Sequence, residues 1–204
     1  MLQSVEADYY PQLEQRYRSK LAQFPFDYVI GSVHIVVPGA TVFRTQNWIG
    51  RSDEEIIMLK ERYYRYIQGS ILSGMYDIIG HMDALKVSYQ KCVDTLPSPS
   101  FATFADIPTT EVDNTLKLLA ESEQVIEVNS AFSYNFSNGT ANWYPSHELL
   151  ERACHYGVRV TFGSDAHDSY YVAWQREEVK AALRDIGYKE WYFFRGRKPV
   201  ACPF

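Results

Sequence analysis

The 204-residue chain has no run of about 20 apolar residues, the length a helix needs to cross a bilayer. Its start, MLQSVEADYY, has neither the basic stretch nor the apolar segment that marks a secreted chain. Cysteine is scarce. Cys92, Cys154 and Cys202 are odd in number and far apart, which argues against a disulfide framework or a thiolate zinc knuckle and favours a reducing compartment. Basic runs do not exceed the short RGRK near the C-terminus. With a net charge of −5 and a pI near 5.5, the chain is not expected to bind nucleic acid or an acidic membrane. Internal repeats, low-complexity tracts and interdomain linkers are also missing, so residues 1–204 are expected to form one cytoplasmic domain.

What is present is ordinary globular material, 46% hydrophobic and 22% charged, enough for one sizeable core. Strand-like and helix-like segments alternate. Residues 2–7, 27–36, 76–81, 124–131 and 158–165 are apolar or β-branched runs that suit strands. Residues 10–24, 52–74, 110–123, 146–157 and 173–187 carry helical spacing, with Ser52 or Asp53 and Ser146 as N-caps and Gly157 and Gly187 as stops. Residues 95–110 and 135–145 are polar, Pro- or Gly-containing loops, and the tail from Glu190 suits a last strand or hairpin. This alternation implies an α/β fold with a mainly parallel sheet, either doubly wound or closed into a barrel.

The strand endings carry the chemistry. SVE ends on Glu6, IGSVH on His34, DIIGH on His81, VIEVN on Asn129, and TFGSDAH on Asp165 and His167. Each ending alone is commonplace. In a parallel α/β fold, however, the carboxyl ends of all strands share one rim, where active sites are built. Acid and imidazole ligands without thiolate suit Zn²⁺, Mn²⁺ or Fe²⁺. The remaining histidines fit elsewhere: His147 at a helix start facing solvent, and His155 in a last helical turn, where its partial charge suits the dipole.

These pieces (VEADYYP, YVIGSVH, DIIGH, IEVNSA and GSDAH, in that order over residues 1–170) resemble the polymerase-and-histidinol-phosphatase superfamily, in its histidinol-phosphatase-like branch. The resemblance implies a distorted (β/α)₇ barrel of TIM-like form, a rim holding one to three divalent ions, and hydrolysis of a small phosphorylated substrate. By the same resemblance Glu6 bridges two metals, His34 and His81 complete the second, Asp165 joins the first and His167 the third, with Asp165 and His167 as catalytic residues. Asn129 would line the substrate cleft, and Arg44 or Arg176 would meet the phosphate. The family also opens with a His-x-His strand, and no His-x-His occurs in these 204 residues. The resemblance therefore implies a barrel incomplete at its N-terminus, which would pair with a missing segment or a second copy. It leaves two expectations: a histidinol-phosphatase-like enzyme, weakened by the loss of two ligands of its first metal, or a fragment that binds metal or a partner without turnover.

Overall fold

The computed structural model describes residues 2–95, 99–131 and 143–204. In chain order its elements are β1 (Ser4–Asp8), α1 (Glu14–Leu21), β2 (Tyr28–Ser32), β3 (Ile35–Val37), β4 (Ala40–Thr41), α2 (Asp53–Ser73) and β5 (Ile78–Ile79). There follow α3 (Leu85–Val93), α4 (Glu111–Ala120), β6 (Val125–Asn129), α5 (His147–His155), β7 (Val160–Gly163), α6 (Arg176–Ile186), β8 (Glu190–Arg195) and β9 (Lys198–Pro203). Strands β1, β2, β5, β6 and β7 form one sheet in that order, every pairing parallel.

The spatial order of these strands follows the chain without reversal. Parallel crossovers are right-handed almost without exception, so stepping always in one direction puts every covering helix on the same face. The side chains alternate accordingly. Val5, Ala7, Val29, Ile79, Ile126, Val128 and Val160 pack into the large core shared with the helices. Tyr28, Ile30, Ile78 and Val125 face the other way, against Phe194 and Tyr192 of the β8–β9 hairpin. On the helix face, Tyr76 lies so close over Gly31 that a Cβ there would sit 2.3 Å from its ring. The longest helix, α2, starts from a capping box of Ser52 and Glu55 and stops at Gly74 in the left-handed region. Among the described residues, no helix is long and apolar enough to cross a membrane.

Three departures from the sequence reading have physical causes. The apolar run 27–36 is not one strand. The ladder ends at Ser32, and the chain turns away into the β3–β4 hairpin, closed at Gly39 with φ 82°. Helix α3, which sequence signals did not indicate, has no side-chain cap at Ala84. Its start is held instead by the tertiary bond from the Ala84 amide to the Tyr63 hydroxyl, and it buries Leu85, Val87, Tyr89 and Cys92. The predicted helix 10–24 shrinks to Glu14–Leu21 behind a 3-10 turn begun by Pro11. Most of the loop expected over 135–145, and residues 96–98 of the other, lie outside the described residues.

The core is rich in buried phenols. Burial pushes Tyr63, Tyr64, Tyr76, Tyr144 and Tyr188 above the ordinary value of 10.0, and Tyr9 up to about 12. These phenols keep their protons in both states below pH 10. Above it the unfolded chain releases protons that the folded chain retains, so this share of stability is lost as pH rises. Alkaline titration should show tyrosinate absorbance and loss of helical circular dichroism rising together above about pH 10. Phenols titrating at their ordinary value while the helical signal persists would contradict that.

Candidate metal centre

Because the sheet is parallel, its C-terminal ends gather the predicted residues on one rim. Glu6 projects from β1, His34 follows β2 by two residues, His81 follows β5 by two, and Asp165 follows β7 by two. A cleft of about 280 Å³ opens there, lined by Glu6, His34, Phe43, His81, Ala131, Tyr144, Asp165 and His167. Histidines 147 and 155 stand elsewhere, as expected: His147 meets Glu151 on an exposed helix face, and His155 packs on Tyr156.

Glu6, His34 and His81 each present one ligand atom, all within 4.8 Å of one another. His81 Nε2 lies 3.1 Å from Glu6 Oε1 and 3.1 Å from His34 Nε2, and His34 Nε2 lies 3.8 Å from Glu6 Oε1. Ligands on a tetrahedral ion with bonds of 2.0–2.1 Å stand about 3.3 Å apart, so the spacing fits one divalent ion. The surroundings orient each ligand. Ser32 Oγ donates to Glu6 Oε1 at 2.5 Å. Asp8 Oδ1 meets His34 Nδ1 at 2.6 Å, which turns Nε2 toward the cleft. The His81 amide donates to Glu127 Oε2 at 3.1 Å.

The electrostatics suit a cation. The hydrogen bond with His81 lowers the Glu6 carboxyl most; burial opposes it, while Ser32 and the two imidazoles add to it, and the group is held at about 2. Burial pulls the His81 imidazole down, but the Glu6 bond and the charges of Glu127, Glu6 and Asp165 outweigh it and raise the imidazole above 6.5. Burial pushes the Glu127 carboxyl up, against the charge of His81 and the Asn129 and His81 hydrogen bonds.

Asp165 and His167 line the same cleft but stand outside the tight trio. Asp165 adopts φ 47°, an uncommon backbone for a non-glycine residue. The His167 side chain is 83% exposed, and its Nδ1 lies 2.9 Å from the Asp165 carbonyl. A carbonyl only accepts, so Nδ1 must carry the proton, which leaves Nε2 as the nitrogen that can exchange one.

The three residues expected to meet substrate have these surroundings. Asn129 is 1% exposed: its amide donates to Glu127 Oε2, and its Oδ1 accepts the Ala131 amide. These bonds brace the rim, and Asn129 also lines the cavity of about 310 Å³ that it shares with Glu6, Glu127 and Asp165. Arg176 lies at the start of α6, paired with Glu177 and stacked 5.1 Å over Trp191, and does not line the cleft. Arg44 is exposed in the loop after β4, beside Phe43, and is also not among the lining residues. Sequence reasoning missed Asp8, Ser32, Glu127, Phe43 and Tyr144. A period-2 signal existed for two of them, since Asp8 shares the Glu6 face and Glu127 the Asn129 face.

A separate cavity of about 230 Å³ lies among α2, α3, α4 and α5, lined in part by Lys60, Asp83, Lys86 and Arg152. Its Lys60 ammonium is taken up by the carbonyls of Phe104, Ala105 and Ile107. It pins the 101–107 loop.

No family model matches the chain. A protein of Deinococcus radiodurans described as a probable histidinol-phosphatase is 30% identical over 195 residues, covering 95% of this chain and 67% of the relative. The chain belongs to the histidinol-phosphatase family. Its fold is similar to that of histidinol phosphate phosphatase from Lactococcus lactis, solved with zinc, L-histidinol and phosphate. There the TM-score is 0.66 at 20% identity, over 96% of this chain and 70% of the other. A candidate histidinol phosphatase from Listeria monocytogenes gives a TM-score of 0.63 at 16% identity, over 85% and 66%.

Ligation needs the His81 Nε2 free of its proton, and that imidazole is raised above its ordinary value. Zinc affinity, measured by chelator competition, should therefore fall once pH drops below the raised value of His81, by about tenfold per pH unit for the proton that imidazole must lose. Affinity independent of pH there would exclude that imidazole as a ligand.

Proposed function

We propose that the chain is a metal-dependent phosphoesterase acting on a small phosphomonoester of the histidinol phosphate type, with Glu6, His34 and His81 holding a divalent zinc, manganese or iron ion. The observation that carries this reading is the pair of imidazole nitrogens 3.1 Å apart, both facing the Glu6 carboxylate. Family membership and the likeness to a zinc-, histidinol- and phosphate-bound enzyme support it. The unreversed strand order, with helices on one face, supports reading the sheet as an arc of a distorted (β/α)₇ barrel whose interior is the face bearing Glu6.

The cleft lining is charged in a telling way. It contains Glu6 and Asp165 but neither Lys nor Arg among the described residues. By itself it repels a phosphate dianion, so substrate affinity depends on the cation the trio would hold. Such an ion polarises a phosphoryl oxygen and makes water a better nucleophile near neutral pH. The chain's own residues set the rest. Asp8 and Ser32 keep His34 and Glu6 aimed at the ion. Phe43 and Tyr144 give the cleft an aromatic wall. His167, with Nε2 able to carry a proton at the mouth, would protonate the leaving alkoxide, and Asp165 would add a second carboxylate for the ion or the attacking water.

Histidinol phosphate should be hydrolysed with added Zn²⁺ or Mn²⁺, with activity lost on chelation and restored by the metal. His81→Ala should lower kcat/KM by about a thousandfold, equivalent to about 4 kcal/mol of transition-state stabilisation. His167→Ala should lower kcat more than it raises KM. Turnover that survives chelation, or metal binding without any phosphate release, would refute the proposal.

A further inference from the structure

Glu127 is a buried acid that direct ligation by the trio does not use. It is 6% exposed, on the face of β6 that looks toward Glu6 and Asp165, and among the described residues no Lys or Arg pairs with it. A carboxylate in such a place is expensive to bury and needs a compensating task. Its contacts indicate one. Oε2 accepts two N–H groups: the backbone amide of His81 at 3.1 Å and the side-chain amide of Asn129 at 3.0 Å. Asn129 is itself locked by the Ala131 amide at 2.9 Å, so Glu127 cannot swing away.

The amide it holds belongs to a residue that needs holding. His81 follows a strand of only two residues and adopts φ 23°, a backbone that side-chain-bearing residues rarely occupy. The next strand makes room for the acid. Gly163 pairs with Asn129 across the β6–β7 ladder, and a Cβ on Gly163 would lie 2.0 Å from Glu127 Oε1 and 2.8 Å from its Cδ.

We propose that Glu127 is the positioning residue of the metal centre: through the His81 amide it fixes the strained turn that aims His81 Nε2 at Glu6 and His34, and Gly163 is the space that lets it do so. The assignment rests on reading the trio as a metal site. Two hydrogen bonds to one oxygen are the operative feature, so a neutral side chain of the same shape should serve as well as the acid.

The test uses the whole chain loaded with Co²⁺, whose visible absorption reports ligand geometry and whose affinity is read by chelator competition. Glu127→Ala should weaken Co²⁺ binding by about 10- to 100-fold and change the spectrum. Glu127→Gln can place its carbonyl oxygen at the Oε2 position and keep both bonds, and it should restore affinity and spectrum toward those of the unaltered protein. Gly163→Ala keeps the acid but crowds it, and should reproduce the spectral change in milder form. Thermal melting of each variant separates positioning from packing. Variants that melt earlier yet bind Co²⁺ with unchanged affinity and spectrum would overturn the proposal. So would a Glu127→Gln variant as defective as Glu127→Ala. Unaltered protein that binds no Co²⁺ at the trio would remove the metal reading itself, and this assignment with it.

Discussion

The structure turns on the crowding of two imidazole nitrogens and one carboxylate oxygen into a space less than 5 Å across at the end of a parallel sheet. Such groups do not gather unaided. The protonated imidazoles would repel one another, and the neutral ones would offer lone pairs face to face. A ring of fixed partners holds them: Ser32 against Glu6, Asp8 against His34, and Glu127 behind His81. Each partner comes from β1, from β2 or from the strand next to β5, so the register of the sheet and the geometry of the site are one constraint.

The trio was legible in the sequence because parallel strands turn a one-dimensional fact, the residue type after an apolar run, into shared position on a rim. That logic needs no knowledge of helix packing, and it held for Glu6, His34 and His81 although β2 and β5 proved shorter than their apolar runs suggest. The orienting acids were harder to see. Asp8 and Glu127 sit within strands, where an acid reads as an ordinary solvent-facing residue until the far face is known to be enclosed. The surroundings of the arginines were hard to read for the opposite reason. An Arg is long, and its target depends on which way its element faces. Arg176 lies over Trp191 because α6 turns that side of its first turn to the tail strands, an orientation no local pattern encodes. Helix α3 escaped notice because a tertiary hydroxyl, rather than a neighbouring Ser or Asp, holds its first amide.

The two sides of the sheet have different work. The helix side carries the large apolar core, in which single truncations of buried Leu or Ile cost about 2–5 kcal/mol. The opposite side mixes Ile30, Ile78 and Val125 with Glu6, Glu127 and Asp165 around a cavity of about 310 Å³ partly covered by Phe193 and Phe194. Stability is concentrated on one side and polarity on the other. This is how a small sheet can tolerate buried acids without dissolving its core.

Tyr76 joins the two sides' concerns. Its ring rests on Gly31 in β2, and its hydroxyl donates at 2.9 Å to the carbonyl of Asp8 at the end of β1. A phenol has one length and does not flex, so it acts as a gauge block between neighbouring strands beneath the residues that face the cleft. Backbone ladders breathe by fractions of an ångström, and a rigid gauge narrows that play where two strands must present Glu6 and His34 to one point. The spacing of the two strands at this level is thus set partly by an aromatic ring that never enters the cleft.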